Sequence, residues 1–386
     1  MERKLATIQV ISELRPIPNA DKIEVAVVKG WECVVKKGEF TVGERIIYCE
    51  VDSVMPDKPE YEFLRERKFR IRTIKLRGQV SQGLVLPISS LGFNSSNYRI
   101  DADVTDELGI TKYLSPSERE EIEQTERKLA NERNKLKKFM MRYSWFRKLF
   151  LSRKQKSGFP YWVGKTDEER VQNLSWDKFY EQFKDKEVYV TEKIDYQSVT
   201  FTGKMVPRWG WLGKLSPKKY KFVVCSRNLT TNDKKSLYWQ IAKKYDIENI
   251  LKANPHLTIQ GEQGSSKVQG NKYGITEPTM WVFNIIDHEK NYHYDYREME
   301  AFCREYNLNI VPLLKSPTIP GSGMILSSKW ILKYLGSTVQ ELVEFSKGKS
   351  VIADIPREGV VVRCIENGKK IFSFKAINPD FLLKYE

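Results

Sequence analysis

Over the first ninety residues apolar and polar positions alternate in short runs. Ile23–Val28 (IEVAVV), Glu32–Lys37 (ECVVKK) and Arg45–Val51 (RIIYCEV) are rich in β-branched residues, and Gly30, Gly38 and Gly43 punctuate them. Such runs, bounded by glycine, predict short antiparallel strands joined by turns. Phe69–Gly78 (FRIRTIKLRG) alternates apolar with basic residues and predicts a further strand, and Gly83–Ser89 closes the set. The pattern then changes period. Ser115-Pro116-Ser117-Glu118 offers a cap, a proline at the first helical position and a capping-box glutamate, and predicts a helix start. Leu136, Met140, Tyr143, Phe146 and Phe150 continue at helical spacing. Beyond Gly158-Phe159-Pro160 the apolar runs are VYVTEKI, SVTFTG, FVVCSR, LTIQGE, MWVFNII, GVVVRCI and IFSFKAI. Helical stretches are expected near Lys234–Tyr245, Arg297–Tyr306 and Ser337–Phe345.

Strands and helices interleave without a regular βαβ series, so the expected class is α+β with many antiparallel pairs. The front strands suit a small closed barrel of OB type better than a large sandwich, with an SH3-like barrel as the alternative. Three segments follow: an OB-like nucleic-acid-binding domain over 1–112, a basic helical linker over 113–157 and a C-terminal domain with antiparallel sheets and flanking helices over 158–386.

Charge sharpens this division. The chain of 386 residues carries 65 Lys plus Arg against 50 Asp plus Glu, a formal net charge of +15. That surplus favours a polyanionic partner. Between Arg127 and Lys156 there are 12 basic residues and one acidic residue, Glu132, so this window alone holds +11. Such a segment reads as a solvated spacer, as a strut along nucleic acid, or as a helix on an anionic membrane surface. No apolar run is long enough to span a membrane, and the start, MERKLATIQV, lacks the pattern of a secretory signal.

Several chemistries drop out. Five scattered cysteines without a CxxC pair indicate neither a zinc site nor a disulfide framework, and fit a reducing, cytoplasmic compartment. Three histidines leave little for His-based catalysis or a His-rich metal site. Neither GxxxxGK[ST] nor a strand-linked GxGxxG occurs. Carboxylates and lysines must carry any reaction.

Such residues recur at strand ends. Thr191-Glu192-Lys193-Ile194-Asp195 ends one apolar run, Ser226-Arg227-Asn228 follows another, and Glu262 sits in QGEQGS. Phe283 lies in the aromatic run WVFN, Glu358 enters GVVV, and Lys375 lies in FSFKAIN. Taken singly, Phe283 reads as a core aromatic and the charged residues as surface salt bridges. Together, in this order, they resemble the covalent nucleotidyltransferase superfamily of polynucleotide ligases and RNA-capping enzymes: motif I (Lys193, Asp195), motif Ia (Arg227), motif III (Glu262), motif IIIa (Phe283), motif IV (Glu358) and motif V (Lys375). The stretch from Phe159 through Asn173 and the segment GEQGSSKVQGNKYG (Gly261–Gly274) look like the RNA-ligase forms. With the barrel in front and little chain after Lys375, the arrangement resembles the fifth family of ATP-dependent RNA ligases, which seal 3′-OH/5′-phosphate nicks.

The resemblance implies that Lys193 attacks the α-phosphorus of ATP and forms a lysyl–AMP. It places Lys375 at the α-phosphate, Asp195 at the ribose or the nucleophile, and Glu192, Arg227, Glu262 and Phe283 around the nucleotide. It gives Glu358 to Mg²⁺ or Mn²⁺. Arg170 and the basic strand residues Arg70, Arg72, Lys75 and Arg77 are candidates for phosphate contact. The implied partner is RNA, as a nicked duplex with RNA on the 3′-OH side, bound by a monomer with no membrane partner. Two positions depart from the pattern: Tyr196 replaces the glycine of KxDG, and Ser373 replaces the first lysine of KxK. They support the competing reading of a non-catalytic RNA-binding protein with a degenerate domain. A DNA-preferring ligase and a GTP-using guanylyltransferase are further alternatives.

Overall fold

The computed structural model describes residues 4–114, 119, 123, 159–208, 217–315 and 330–385. The expected capping box at Ser115 and the basic segment Arg127–Lys156 lie outside them. The chain divides into two compact units, Met1–Gln155 with Leu382–Glu386, and Lys156–Phe381.

The first unit contains β1 (Ala6–Pro16), β2 (Ile23–Val28), β3 (Trp31–Lys36), β4 (Arg45–Cys49), β5 (Ser53–Val54), β6 (Thr73–Leu76), β7 (Gln79–Gln82), β8 (Leu84–Pro87) and β9 (Thr111–Lys112). Its main sheet runs β3-β2-β1-β4-β8. β1 precedes the strands anticipated above and organises the sheet: Ala6–Val10 pair with β4, and after a bulge between Ile11 and Glu13 the strand pairs with β2. A bulge bends a strand and increases its twist, which lets one strand serve two directions of a curled sheet. Ile8, Ile11, Trp31, Ile46, Ile47 and Tyr48 form the buried heart of the unit, with Trp31 and Tyr48 stacked at 5.9 Å.

The strand expected over Phe69–Gly78 is not one strand. Lys68 and Phe69 take positive φ, 53° and 59°, and turn the chain there. Ladder pairing begins at Thr73, and β6 returns as β7 through Arg77 and Gly78, both of positive φ, as a twisted two-residue hairpin requires. Arg70, Arg72, Lys75 and Arg77 therefore do not form one stripe. Arg70 is buried, ion-paired with Asp52 at 2.6 Å and lying 3.7 Å from the Tyr113 ring centroid. Arg72 is half-buried, and Lys75 and Arg77 are exposed on the hairpin.

The second unit contains β10 (Glu169–Arg170), β11 (Glu187–Lys193), β12 (Gln197–Pro207), β13 (Lys218–Cys225), β14 (Leu257–Gly264), β15 (Thr279–Asp287), β16 (Tyr292–His293), β17 (Trp330–Ile331), β18 (Gly359–Glu366) and β19 (Lys369–Ile377). Its helices are α1 (Trp176–Phe183), α2 (Leu237–Lys244), α3 (Ile247–Ala253), α4 (Tyr296–Glu305) and α5 (Val339–Ser346), and α6 (Pro379–Tyr385) crosses the unit boundary. One sheet runs β10-β19-β18-β11-β17, the other β13-β12-β14-β15-β16. All pairs are antiparallel except β10 with β19. The seven anticipated strands and three anticipated helices all form; α1, α3 and α6 are additions.

Local chemistry sets the helix ends. Asp295 with Glu298 starts α4, and Thr338 with Glu341 starts α5, each as a complete capping box. On α1, Trp176, Phe179 and Phe183 recur on one face and meet Phe372 and Phe374 of β19 at ring distances of 4.9 to 5.7 Å. This aromatic layer, with Val190, Val360 and Val362, is the core of the first sheet. The second sheet packs Val199, Phe201, Ile259 and Ile285 against Ile241, Leu251 and Met299 of α2, α3 and α4. Phe374 is fully buried. Phe374→Ala is expected to destabilise the protein by about 3–5 kcal/mol, whereas Val42→Ala, at a site 61% exposed, should change stability by less than about 0.5 kcal/mol. Denaturant midpoints of the two variants measure the contrast.

Candidate active site

The chain leaves the first sheet at Lys193 and enters the second at Gln197, so the crossing Ile194-Asp195-Tyr196 joins the two layers. Alternation along β11 gives neighbouring side chains opposite fates. Lys193 stands across from Gly359 in the β11–β18 ladder, and its ammonium donates to both oxygens of Glu358 at 2.6 and 2.7 Å. Glu192 faces the other way. It is buried and accepts from Ser350 Oγ at 2.5 Å and Val351 N–H at 2.7 Å. It thus pins the loop before β18 and does not join the Lys193 cluster. Gly359 is required by close approach, since a Cβ there would lie 2.3 Å from the Ala376 carbonyl oxygen of β19. The narrow strand spacing fixes Glu358 under the lysine.

Burial works against the Lys193 charge, but Glu358, Glu262 and Asp195 together outweigh it and hold its pKa above the ordinary lysine value. Glu262 comes from β14, opposite Ser198 of β12 and Trp281 of β15. Its Oε2 is buried without a hydrogen-bond partner. Burial, reinforced by Glu358 and Asp195 against the pull of Lys193, pushes its carboxyl well above the usual range. Lys375 lies on β19, paired with Val361 on one side and with Arg170 of β10 on the other. Burial first, then the charges of Lys193 and Arg170, pushes it down to about 7. Arg227, just past β13, is ion-paired with Asp167. Phe283 is half-buried on β15; Arg363 donates to its carbonyl at 2.9 Å and lies 5.6 Å from its ring centroid. Lys193, Asp195, Glu262, Glu358, Lys375, Arg170 and Arg227 thus converge on one place, while Arg70, Arg72, Lys75 and Arg77 belong to the other unit.

Tyr196, where a glycine was expected, is accommodated by an exchange. Its ring stacks on Trp281 at 6.1 Å, and its hydroxyl donates to Asn271 at 3.1 Å. The room comes from Gly264, where a Cβ would meet the Tyr196 ring at 2.7 Å. Segment Asn271–Tyr273 grips the crossing further: Lys272 pairs with the Asp195 carboxylate, and the Asp195 N–H donates to Tyr273 Oη at 3.0 Å. Ser373 stands opposite Arg363 in the β18–β19 ladder. Arg363 is bound to Glu168 at 3.0 Å in a buried pair. Lys272, Tyr273, Gly264, Asp167 and Arg363 were given no role from the sequence, although Gly264, Lys272 and Tyr273 lie inside the segment that resembled motif III and Asp167 lies inside the Phe159–Asn173 stretch.

The donor set fits a divalent cation held through few protein ligands. The unpartnered oxygen of Glu262 and Glu358, on exchange of its bonds to Lys193, would hold the ion, and no group of three or more acidic, His or Cys side chains among the described residues could cage one unaided. Mg²⁺ and its relatives are commonly held this way, keeping waters and substrate phosphates as remaining ligands.

A curled small β-unit ahead of two antiparallel sheets, with a lysine at the crossing and carboxylates around it, defines a nucleotidyltransferase. Residues 186–377 match the family model for RNA ligase, and residues 5–88 match one for an OB-fold domain. The chain belongs to the RNA ligases, with an OB-fold domain in front of the ligase domain. Among solved structures it resembles the Naegleria gruberi RNA ligase: a mutant apo form (29% identity, 99% of this chain and 98% of that chain, TM-score 0.73), a mutant with AMP and Mn (28%, 99% and 99%, 0.73), and the enzyme with PPi (29%, 100% and 99%, 0.73). No curated protein sequence matches the chain.

The lowered Lys375 has a measurable consequence. Between pH 7 and the ordinary lysine pKa of about 10.4, the folded protein holds fewer protons at this site than the unfolded chain. Folding stability therefore gains with rising pH across that window, and the penalty of burying the charge is greatest below it. Lys375→Met should raise the melting temperature relative to wild type near pH 6–7, and the advantage should shrink towards pH 9. Paired thermal melts across that range test the sign.

Proposed function

We propose that this enzyme seals 3′-OH/5′-phosphate breaks in RNA through a lysyl–AMP intermediate, using ATP and Mg²⁺ or Mn²⁺. The observation that carries the reading is the Lys193 ammonium clamped by both Glu358 oxygens, with the unpartnered Glu262 carboxyl beside it and a near-neutral Lys375 across the site. The ATP, AMP, PPi and Mn named for the structural neighbours support the same reading.

An amine attacks phosphorus only when neutral, whereas the carboxylates around Lys193 favour its charged form. Glu358 and Glu262 would hold a divalent ion, which would supply positive charge that competes for these carboxylates and favours the neutral amine. Lys193 then forms a bond to the α-phosphorus, the bond to pyrophosphate breaks, and the amine proton leaves. The 5′-phosphate of RNA next displaces the lysine and takes the AMP. The neighbouring 3′-OH attacks that phosphate, releasing AMP and closing the phosphodiester.

Lys375 regains its proton when anionic phosphate enters, and so brings charge where the transition state needs it. Arg227 exchanges Asp167 for a phosphate, which a planar guanidinium grips with two parallel bonds. Phe283 stacks on adenine, Glu262 also serves the ribose hydroxyls, and Asp195 is oriented by Lys272 and Tyr273. Arg170, beside Lys375 in the ladder, faces the phosphate of the RNA end. The preferred substrate is a nicked duplex with RNA on the 3′-OH side.

Incubation with α-labelled ATP and Mg²⁺ or Mn²⁺ should leave an acid-labile label on the denatured protein. Lys193→Ala should abolish it, and labelled GTP should give none. An adduct that survives Lys193→Ala, or none in the wild type, overturns the mechanism. Nicked duplexes with ribose or deoxyribose at the 3′-OH terminus then check the substrate, with sealing expected to favour ribose.

A further inference from the structure

A second connection joins the two sheets of the ligase domain, besides the crossing at Ile194-Asp195-Tyr196. It is the segment from Trp162 to Arg170. From Gly164 to Glu168 the chain lies outside the strand ladders, so side chains set its place. On the second sheet, Trp162 Nε1 donates to Thr202 Oγ1 at 3.1 Å, Gln260 Nε2 donates to the Gly164 carbonyl at 3.0 Å, and the Thr166 and Ser198 hydroxyls meet at 2.9 Å. The chain then passes to the first sheet, where Glu169 and Arg170 pair with Phe374 and Lys375 of β19.

Two consecutive carboxylates mark this passage, and each meets an arginine from a different sheet. Asp167 pairs with Arg227, which follows β13. Glu168 pairs with Arg363 of β18, whose Nε and Nη2 both donate to Glu168 Oε1, at 3.3 and 3.0 Å. The third nitrogen, Nη1, donates to the Phe283 carbonyl of β15 at 2.9 Å. One guanidinium on the first sheet therefore binds both the passing segment and the second sheet.

The two pairs differ in exposure. The Arg227 and Asp167 side chains are 41% and 52% exposed, those of Arg363 and Glu168 only 5% and 14%. An exposed pair is screened and exchanges readily, whereas a buried pair is screened little and is costly to open. Burial disfavours the Glu168 charge, and Arg363 leads the groups that outweigh it and hold the carboxyl below the usual range. In the proposed reaction Arg227 leaves Asp167 for a phosphate. The Glu168–Arg363 pair then remains to hold the segment, and with it Arg170 beside Lys375, at the phosphate end of the site. Through Nη1 it also holds the strand of Phe283, at the base end.

We propose that Glu168 and Arg363 are positioning residues that tie the base-stacking strand to the phosphate-binding segment, so that ATP meets both ends of its site at a fixed spacing. The proposal rests on the RNA-ligase reading and adds the device that sets this spacing. A lysine at position 363 keeps the charge but lacks the planar fork that makes all three bonds.

The rate of lysyl–AMP formation against ATP concentration, in full-length variants, tests the pair. Arg363→Lys and Glu168→Gln should each raise the KM for ATP by about tenfold, while the rate at saturating ATP stays within about threefold of wild type. Glu168→Gln leaves a buried guanidinium unpaired and should melt at a lower temperature. Glu168→Gln combined with Arg363→Met removes both charges and should recover the melting temperature. It should keep the raised KM, because the Phe283 carbonyl has lost its donor; a pair that served only the fold would recover both. A KM within about twofold of wild type in the folded double variant or in Arg363→Lys overturns the proposal. So does a loss of rate at saturating ATP with KM unchanged, which would place the pair in the chemical step. Arg363→Lys alone decides the point if the double variant does not fold. A wild-type protein that forms no lysyl–AMP overturns the ligase mechanism instead, and equilibrium binding of a fluorescent ATP analogue to the same variants then decides the pair.

Discussion

The ion pair between Lys193 and Glu358 is the constraint around which the ligase domain is arranged. A lysine and a glutamate on adjacent strands meet with both carboxylate oxygens engaged only if the register is fixed. Gly359 secures that register by letting β18 press against the β19 backbone, and the valines and phenylalanines behind the sheet hold both strands in place. Removing two charges from water is costly even when they are paired. Two further carboxyls, Glu262 and Asp195, crowd the same lysine, which would be poor design for a purely structural salt bridge. The arrangement makes sense if the pair is an idle state. Lys193 is kept protonated by the carboxylates around it, and Lys375 is pushed down by burial and by the cations around it. In the proposed mechanism, entry of polyphosphate with a cation would reverse both: positive charge at the carboxylates would free the amine, and negative charge at Lys375 would restore its proton. Readiness for reaction is thereby tied to a loaded site.

The crossing that carries the nucleophile shows how a departure from a familiar pattern can be neutral for the chemistry. Tyr196 occupies a position where a glycine permits close approach. Here the close approach has moved to Gly264, on the strand beside it, and the tyrosine ring fills the resulting space against Trp281 and Tyr273. Asn271, Lys272 and Tyr273 then hold the crossing at the Tyr196 hydroxyl, the Asp195 carboxylate and the Asp195 N–H. The crossing is anchored at three points, one on Tyr196 and two on Asp195, and needs no glycine to hold its course. Tyr196 is thus no sign of a degenerate site. The altered motif V is similar: Ser373 lacks the charge, and Arg363 across the ladder carries one.

The ligase domain was legible because its strands are apolar runs ending in charged residues, and a strand end is where both a hydropathy pattern and a catalytic side chain become visible. Alternation was the harder matter. Glu192 and Lys193 are adjacent in sequence, and only the register of β11 shows that one faces the nucleotide cluster while the other braces a loop. In the OB-fold domain, β1 escaped notice because its apolar residues, on a strand that bends through a bulge, do not hold a single period. The strand assumed over Phe69–Gly78 failed for a local reason. Two residues of positive φ, Lys68 and Phe69, carry no glycine to announce the turn. Partners such as Lys272 and Arg363 could not be found at all without knowing which strands meet.

Net charge reads differently at this level. Of the +15, +11 falls between Arg127 and Lys156, which leaves the remainder of the chain close to balanced on average. An average hides the β12–β13 hairpin, where Lys204, Arg208, Lys218, Lys219 and Lys221 occur with no carboxylate in either described strand. Screening confines the field of such a cluster to about 8–10 Å at physiological salt. What matters for an RNA strand is therefore the local sign along its path and not the total. Position on the sheet then decides the use of each cation. Lys193 and Lys375 are half-buried beside Glu358, while Lys219 and Lys221 stand in water on the hairpin, where exchange with counterions is easy.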